Sequence, residues 1–430
     1  MDAARDPGII NERYLLVIFS LPFHVDANGD RYLDALWVKD LKQHVAYLPH
    51  LTLASPRRNT PPPAGFIAVD TVAELAALRY IDLPYSDARW KGLLNLPRTI
   101  RRLWQAITET DIVHSSIAAW PIAEAWLVTP MLMLRRRFHI IIVESAPWRM
   151  AIGQAPSRKA RLKAAFYEYT GKHCLARADL RLFTQAQYRD SLLGFDRRCA
   201  HVVPASWIDE SVIRSDAEIA SDWAAKGASP VLHIAFAGRL TRSKGILLLL
   251  DAARSFANTG RALQLTIYGD GELRPDCERI AAEPMAYVDV VLGGVLPYDQ
   301  SFFDAVRAVD LVVIPSLSDE QPRIVFDAFS QGIPVIASKT PGLKDCFENN
   351  RQGMFFEPGS VASLVNSLDN AWRNRQNLPA MGKRAAALAR TVTHRNMHAT
   401  RCDIINRAMP NLVDVPESPA KPVHGNPDAT

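Results

Sequence analysis

Short uninterrupted apolar runs recur along the chain and alternate with longer stretches whose apolar positions fall at helical spacing. The first run, YLLVIFS at 14–20, has no polar break, the pattern of a strand buried on both faces of a parallel sheet. A polar turn, DANGD, follows it, and DRYLDALWVKDLKQHVAYL at 30–48 has the periodicity of a helix. LTLAS (51–55), FIAVD (66–70), DIVHSS (111–116), HIIIVES (139–145) and LRLFTQ (180–185) predict further strands separated by helix-period segments.

A second and cleaner series begins near 230. VLHIAFAG (231–238), LQLTIYG (263–269), VDVVLGG (288–294), DLVVIPS (310–316) and PVIAS (334–338) each precede a helix-like stretch. Strands alternating with helices predict an α/β fold of doubly wound parallel sheets. A chain of 430 residues exceeds the usual ceiling for one core. The expected organisation is a Rossmann-like domain at 1–215, a second at 216–378, a helix at 379–409 crossing back to the first, and a proline-rich, disordered tail at 410–430. Ligands sit outside the carboxyl ends of such strands, so the candidate site is the central cleft that the two domains face.

Composition narrows the partners. The net charge of +5 is too small for a nucleic-acid binder, although Arg135, Arg136 and Arg137 and the segment 149–181 are locally basic. A solvated helix face accounts for such a run; an anionic membrane surface or an acidic acceptor is the sharper reading. Five scattered cysteines oppose a disulfide framework and a zinc site and fit a reducing compartment. The N-terminus shows no secretory signal, and the expected location is cytoplasmic, with peripheral contact at the inner membrane face as an extension. The apolar stretch 118–134 is interrupted by Pro121, Glu124 and Pro130, which predicts a buried or interfacial helix rather than a membrane span.

Three segments carry candidate chemistry. In AFAGRLTRSKG, a strand ends at Ala237-Gly238 and Arg239 and Lys244 lie in the loop before a helix. Glycine permits close backbone approach, and two cations at a strand terminus suit a diphosphate; exposed salt bridges are the plain alternative. The turn Asn28-Gly29-Asp30 is similar, where Gly29 offers its amide to the same phosphate or simply makes a turn. In DEQPRIVFDAFSQGIPVIAS (319–338), Pro322 fits a first helical turn, and the amides of Arg323 and Ile324 are placed to donate to an anion. Asp319 and Asp327 flank that position, one suited to a sugar and the other to a ribose; a helix cap and a solvated acid are the competing account.

Gly238-Arg239, Lys244-Gly245, IYGDGELR (267–274), PSLSDEQPRIVFDAFSQGIPVIAS (315–338) and NRQGMFFEPGS (350–360), in this order, resemble the nucleotide-sugar domain of retaining glycosyltransferases of family 4, within glycosyl transferases group 1 and the GT-B fold. The resemblance covers 231–373 strongly and the first domain loosely. It implies metal-independent transfer of a hexose, with no cofactor, from a nucleoside-diphosphate sugar to a carbohydrate or lipid-linked acceptor in polysaccharide or glycolipid synthesis. Arg239 and Lys244 match the residues that bind the donor diphosphate, the acid matching Asp319 contacts the transferred sugar, and that matching Asp327 binds the ribose. The chain departs from the family in having Asp where Glu is usual at both positions, which leaves Glu320 as an alternative sugar contact. Gln321-Pro322 replaces a frequent Phe-Gly pair, and Glu144 stands where many members have histidine near the donor sugar. Either Glu144 takes that polar role or His114 does. A nucleotide-sugar epimerase on the same fold, or a non-catalytic nucleotide-sugar-binding subunit, fits the same residues. A nicotinamide dehydrogenase is poorly supported because no Gly-x-Gly-x-x-Gly follows either first strand.

Overall fold

The chain builds two separate sheets, each from one of the two series of apolar runs. The structure is a computed structural model that describes residues 8–86, 89–118, 122–149, 152–153, 156–227, 229–318 and 320–409; the expected disordered tail lies outside the described residues.

The first sheet has ten strands: β1 (Tyr14–Val17), β2 (Phe23–Val25), β3 (Arg31–Asp34), β4 (Leu51–Arg58), β5 (Phe66–Ala68), β6 (Arg79–Pro84), β7 (Ile112–Ser116), β8 (Phe138–Val143), β9 (Leu180–Phe183) and β10 (Ala200–Val202). They run in the order β10-β9-β8-β7-β1-β4-β2-β3-β5, with β6 paired to β4 off this path. Tyr14 pairs in parallel with Leu51 on one side and Ile112 on the other, so β1 is central. Its four residues are all buried, as an unbroken apolar run requires.

Two expectations need correction here. The segment 30–48 is not helical throughout: Arg31–Asp34 pairs antiparallel with β2 and β5. The helix Ala35–Tyr47 starts only where the Asp34 carboxylate caps the amide of Leu36 at 2.9 Å. The strands β2, β6 and β10 were hidden because they are short or carry charge, as in RYIDLP of β6.

The second sheet has β11 (Leu232–Ala237), β12 (Leu263–Tyr268), β13 (Val288–Gly294), β14 (Leu311–Ile314), β15 (Val335–Ser338) and β16 (Gly353–Phe356). Its order is β13-β12-β11-β14-β15-β16 and every pairing is parallel, a Rossmann-like arrangement whose direction of winding reverses between β11 and β14. Leu249, Leu250 and Phe256 of the helix Ile246–Phe256 cover one face; Val325, Phe326 and Phe329 of the helix Ile324–Ser330 cover the other. Truncating one such leucine to alanine costs about 2–5 kcal/mol.

The C-terminal helical pattern is two helices, Leu378–Ala389 and His394–Ala408, because Thr393 ends the connection by capping the amide of Asn396 at 3.2 Å. Ala385 and Ala389 of the first join the second sheet's core, whereas Met397, Cys402, Ile404 and Ile405 of the second pack with the first sheet. The chain thus returns to the unit in which it began. Of the apolar stretch 118–134, the structure forms the helix Glu124–Arg135, with Val128 and Leu132 buried and Met133 and Leu134 exposed. Among the described residues no helix is long and apolar enough to cross a membrane. All five cysteines are free.

Candidate functional site: two cavities at two switch points

A cavity of about 490 Å³ opens at the carboxyl ends of β11, β12 and β14, where the second sheet changes winding direction. Gly238, Arg239, Lys244, Arg323, Ile324 and Asp327 all line it. Sequence positions almost ninety residues apart meet here because β11 and β14 are neighbours in the sheet.

Two glycines make the meeting possible. Gly245 has φ +75°, and a Cβ there would lie 1.8 Å from the carbonyl oxygen of Pro315. Gly269, at φ +139°, would bring a Cβ within 1.9 Å of the carbonyl of Gly238. The loops after β11, β12 and β14 therefore lie on one another at distances only glycine tolerates. The amide of Leu317 completes the contact by donating to the Ser243 carbonyl at 2.8 Å.

The polar side chains differ in how far they are already engaged. Arg239 is exposed and has no ion-pair partner among the described residues. Lys244 Nζ donates to the Glu320 carboxylate at 2.9 Å, with the lysine side chain 18% and the glutamate side chain 38% exposed. The glutamate end of this pair is open to water, so a stronger anion can take its place on the lysine. Asp327 is 1% exposed, which removes the reading of it as a solvated acid. Tyr298 donates its hydroxyl to Asp327 Oδ1 at 2.7 Å, and Arg323 lies 3.7 Å from Oδ2 while its guanidinium covers the Tyr298 ring at 4.2 Å. Burial outweighs these contacts and pushes the Asp327 carboxyl up to about 6.

Pro322 stands ahead of the helix rather than in its first turn: the helix runs Ile324–Ser330 with Arg323 as its cap, so Asp327 falls in the opening turn. Asp319 lies outside the described residues. Gly29 is not brought here. It occupies the turn between β2 and β3, and its amide already donates to the Asp26 carbonyl at 3.2 Å, so it has no donor left for a phosphate.

A second cavity, of about 250 Å³, lies at the carboxyl ends of β1, β7 and β8, the corresponding switch point of the first sheet. Glu144 and His114, the two alternatives for one polar role, both line it. Glu144 is half exposed and sits 3.5 Å from Arg401, which reaches in from the crossing helix His394–Ala408. His114 is buried; its Nδ1 meets the Tyr14 hydroxyl at 3.0 Å, and its Nε2 has no hydrogen-bond partner among the described residues. Burial, then the positive groups around it, hold this imidazole well below the usual histidine range and therefore neutral.

Sequence reasoning passed over Arg401 and Glu124, which line the first sheet's cavity, and Tyr298, which holds the cavity-lining Asp327 of the second. Glu124 is 2% exposed, accepts the Phe19 amide at 2.8 Å through Oε1, and has no partner for its buried Oε2 among the described residues. Burial pushes its carboxyl up to about 7. The interruption of an apolar run by Glu124 was a signal, since an acid is almost never buried without a partner or a use.

The family model described as glycosyl transferases group 1 matches residues 232–374. That span holds every lining residue of the first cavity. Among curated relatives, the chain is 30% identical over 135 residues to a 2-deoxystreptamine glucosyltransferase of Streptomyces kanamyceticus, covering 31% of this chain and 35% of the relative. It is 27% identical over 294 residues to a D-inositol 3-phosphate glycosyltransferase of Nocardia farcinica, covering 65% of this chain and 62% of the relative. The matches thus span less than two thirds of either relative's length. The fold agrees over a longer stretch: Anabaena HepE, solved in complex with UDP and glucose, superposes with a TM-score of 0.63 at 15% identity over 94% of this chain and 100% of that one. The chain therefore has the GT-B fold, two Rossmann-like units in series, and the residues matched by the family model lie in the second of them.

Proposed function

We propose that this protein is a retaining glycosyltransferase that moves a hexose from a nucleoside-diphosphate sugar to an acceptor hydroxyl. The observation that carries the reading is the convergence of Arg239, Lys244 and Asp327 on one cavity at the switch point of the second sheet.

A diphosphate entering that cavity meets the unpaired guanidinium of Arg239 and displaces Glu320 from Lys244. Its negative charge grows as the glycosidic bond breaks, and the two cations are already fixed where that charge develops. Asp327, once ionised, accepts hydrogen bonds from the ribose hydroxyls. Glu320, released from the lysine, and Asp319 are the candidates for hydroxyls of the transferred sugar. The acceptor binds at the first sheet's cavity, where Glu144, His114 and Glu124 offer hydrogen-bonding groups without a strong net charge. Retention follows if the leaving diphosphate removes the acceptor's proton on the face from which it departs, a reaction that uses no metal.

Two features support peripheral contact with an anionic membrane. The helix Arg158–Leu175 exposes Leu162, Phe166 and Tyr169 among Arg158, Lys159, Arg161 and Lys163, an apolar ridge set in basic residues. Met133 and Leu134 are exposed on the helix Glu124–Arg135, which packs against it. A lipid-linked acceptor would be presented at such a surface.

The test is a panel of nucleoside-diphosphate sugars, read first as a rise in melting temperature and then as release of the free diphosphate with and without acceptors. One sugar nucleotide should stand out in both. A panel in which none binds removes the proposal; a donor that binds but is converted to an isomer, with nothing transferred, replaces it with epimerisation.

A further inference from the structure

At the back of the first sheet's cavity, whose lining includes Asp40 and His44 but neither His394 nor His398, the crossing helix places His394 and His398 one turn apart, facing Asp40 on the helix Ala35–Tyr47. The two Nε2 atoms each lie 3.0 Å from Asp40 Oδ1 and 3.2 Å from one another. The three side chains are between 0% and 7% exposed.

Hydrogen bonding satisfies only part of this triangle. If each imidazole directs its Nε2 proton to the shared carboxylate oxygen, the third edge brings two like N–H dipoles together in a dry interior. A cation inside the triangle makes all three contacts attractive. A tetrahedral zinc ion with bonds near 2.0–2.1 Å separates its ligand atoms by about 3.3 Å, close to the edges of 3.0, 3.0 and 3.2 Å found here.

The surroundings have the further properties of a metal centre. Asp40 Oδ2 is held by His44 Nδ1 at 3.1 Å, and His398 Nδ1 faces the Tyr47 hydroxyl at 3.4 Å, so outer partners fix the orientation of two of the three ligands. Arg401, the nearby cation, is matched by Glu144, so Asp40, Glu144 and Arg401 together leave one negative charge for an incoming cation to meet.

We propose that Asp40, His394 and His398 form a binding site for a zinc-type divalent transition metal, with a water at the fourth corner, that clamps the crossing helix to the first unit. Asp40 also lines the first sheet's cavity, but the metal site does not require that cavity to hold an acceptor, and its role is structural. Cysteine counting missed it because none of its ligands is a cysteine; the visible trace is His-x-x-x-His at 394–398, which puts two imidazoles on one helix face.

The experiment uses untagged full-length protein, stripped by dialysis against EDTA and titrated with Co²⁺ and then Zn²⁺. Uptake of one equivalent, the intense visible absorption of four-coordinate cobalt, its loss when zinc is added, and a melting temperature that climbs with zinc concentration are expected. His398→Gln should lose the cobalt absorption, and His44→Gln, which touches only the outer partner of Asp40, should weaken the affinity about tenfold. No stoichiometric uptake by the wild-type protein overturns the proposal, and so does weak six-coordinate absorption or uptake with an unchanged spectrum in His398→Gln. Should His398→Gln not fold, Asp40→Asn is read in the same way, and the wild-type titration decides alone if neither variant is stable.

Discussion

The two cavities occupy equivalent places in the two sheets, one between β1 and β7 and the other between β11 and β14, yet their chemistry is opposite. The second sheet's cavity presents cations that remain in contact with water, Arg239 and Lys244, with one buried acid beneath them. The first sheet's cavity presents buried groups, Glu124 and His114, each with one polar atom unpaired, and its one cation, Arg401, is already matched by Glu144. A charged ligand can be met by solvated charges that keep their hydration until it arrives. An uncharged hydroxyl-bearing ligand gives too little back for that, and its site gains by leaving acceptors desolvated and unsatisfied beforehand.

The largest expected effect comes from Lys244→Ala. Removing one preorganised contact to a developing negative charge costs about 3 kcal/mol in the transition state, roughly a hundredfold or more in turnover. The melting temperature should stay close to that of the wild type, because the Lys244–Glu320 pair is only partly buried, at the mouth of an open cavity, and contributes little to stability. Steady-state rates with the true donor, beside a thermal melt, check both halves. Wild-type turnover in this variant would mean that the open cavity does not hold the leaving group, and the contrast between the cavities would lose its charged side.

On the other side of the contrast stands Glu124, whose carboxyl is raised from 4.5 to about 7 by burial. The folded state therefore binds a proton that the unfolded state has released between these values. The stabilisation is complete below pH 4.5 and is lost as pH rises to about 7, amounting to about 3 kcal/mol. Glu124→Gln keeps an oxygen for the Phe19 amide and removes the titration. Urea denaturation from pH 4.5 to 7.5, on the order of the window set by this carboxyl, should show wild type losing stability relative to the variant as pH rises. Parallel curves would place Glu124 in contact with water and end its description as a desolvated acceptor.

The contrast also explains what could be read in advance. Gly245 and Gly269 and the cations Arg239 and Lys244 lie in short segments that each follow a single buried strand, so pattern and motif pointed to one place. The first sheet's cavity draws Ile18 from the loop after β1, His44 from a helix, His114 from β7, Glu124 from the start of another helix, Glu144 from beyond β8 and Arg401 from the crossing helix. No local spacing connects these positions; only the fold does. Gly29 was misassigned for the complementary reason: a glycine turn after an apolar run looks the same at a phosphate site and at a hairpin, and the extra strand β2 decides which it is. Tyr298 gave no sign, because a tyrosine near an acid in sequence space has no pattern to betray it.

Asp327→Asn tests the buried floor of the charged cavity and should have a smaller effect. Asparagine keeps an oxygen for the Tyr298 hydroxyl and removes the charge facing Arg323. Loss of a charged acceptor for the ribose should weaken nucleotide binding by about tenfold, in line with about 1.5 kcal/mol for a hydrogen bond to an ionised group. Calorimetry with UDP and GDP, of which the preferred nucleotide shows the change, measures it. Binding should also tighten in the wild type as pH rises through about 6, the value at which this carboxyl ionises, and that dependence should vanish in the variant. An unchanged affinity at every pH would move the ribose contact to another group.

Glu320→Gln has the smallest expected effect and separates two roles for one residue. In the absence of donor the Glu320 carboxylate accepts from Lys244 at 2.9 Å, so it competes with a phosphate for the same ammonium group. Removing its charge frees the lysine at a gain of at most about 0.6 kcal/mol, the middle of the range for exposed pairs, and UDP should bind about threefold more tightly. If the released carboxylate then turns to the sugar, the variant loses that contact and the intact sugar nucleotide gains nothing or binds less well than in the wild type. The informative quantity is therefore the ratio of the two affinities, measured on the same protein. Equal gains for UDP and for the sugar nucleotide would leave Glu320 as a competitor for the lysine alone, and Asp319 would stand as the remaining acid for the transferred sugar.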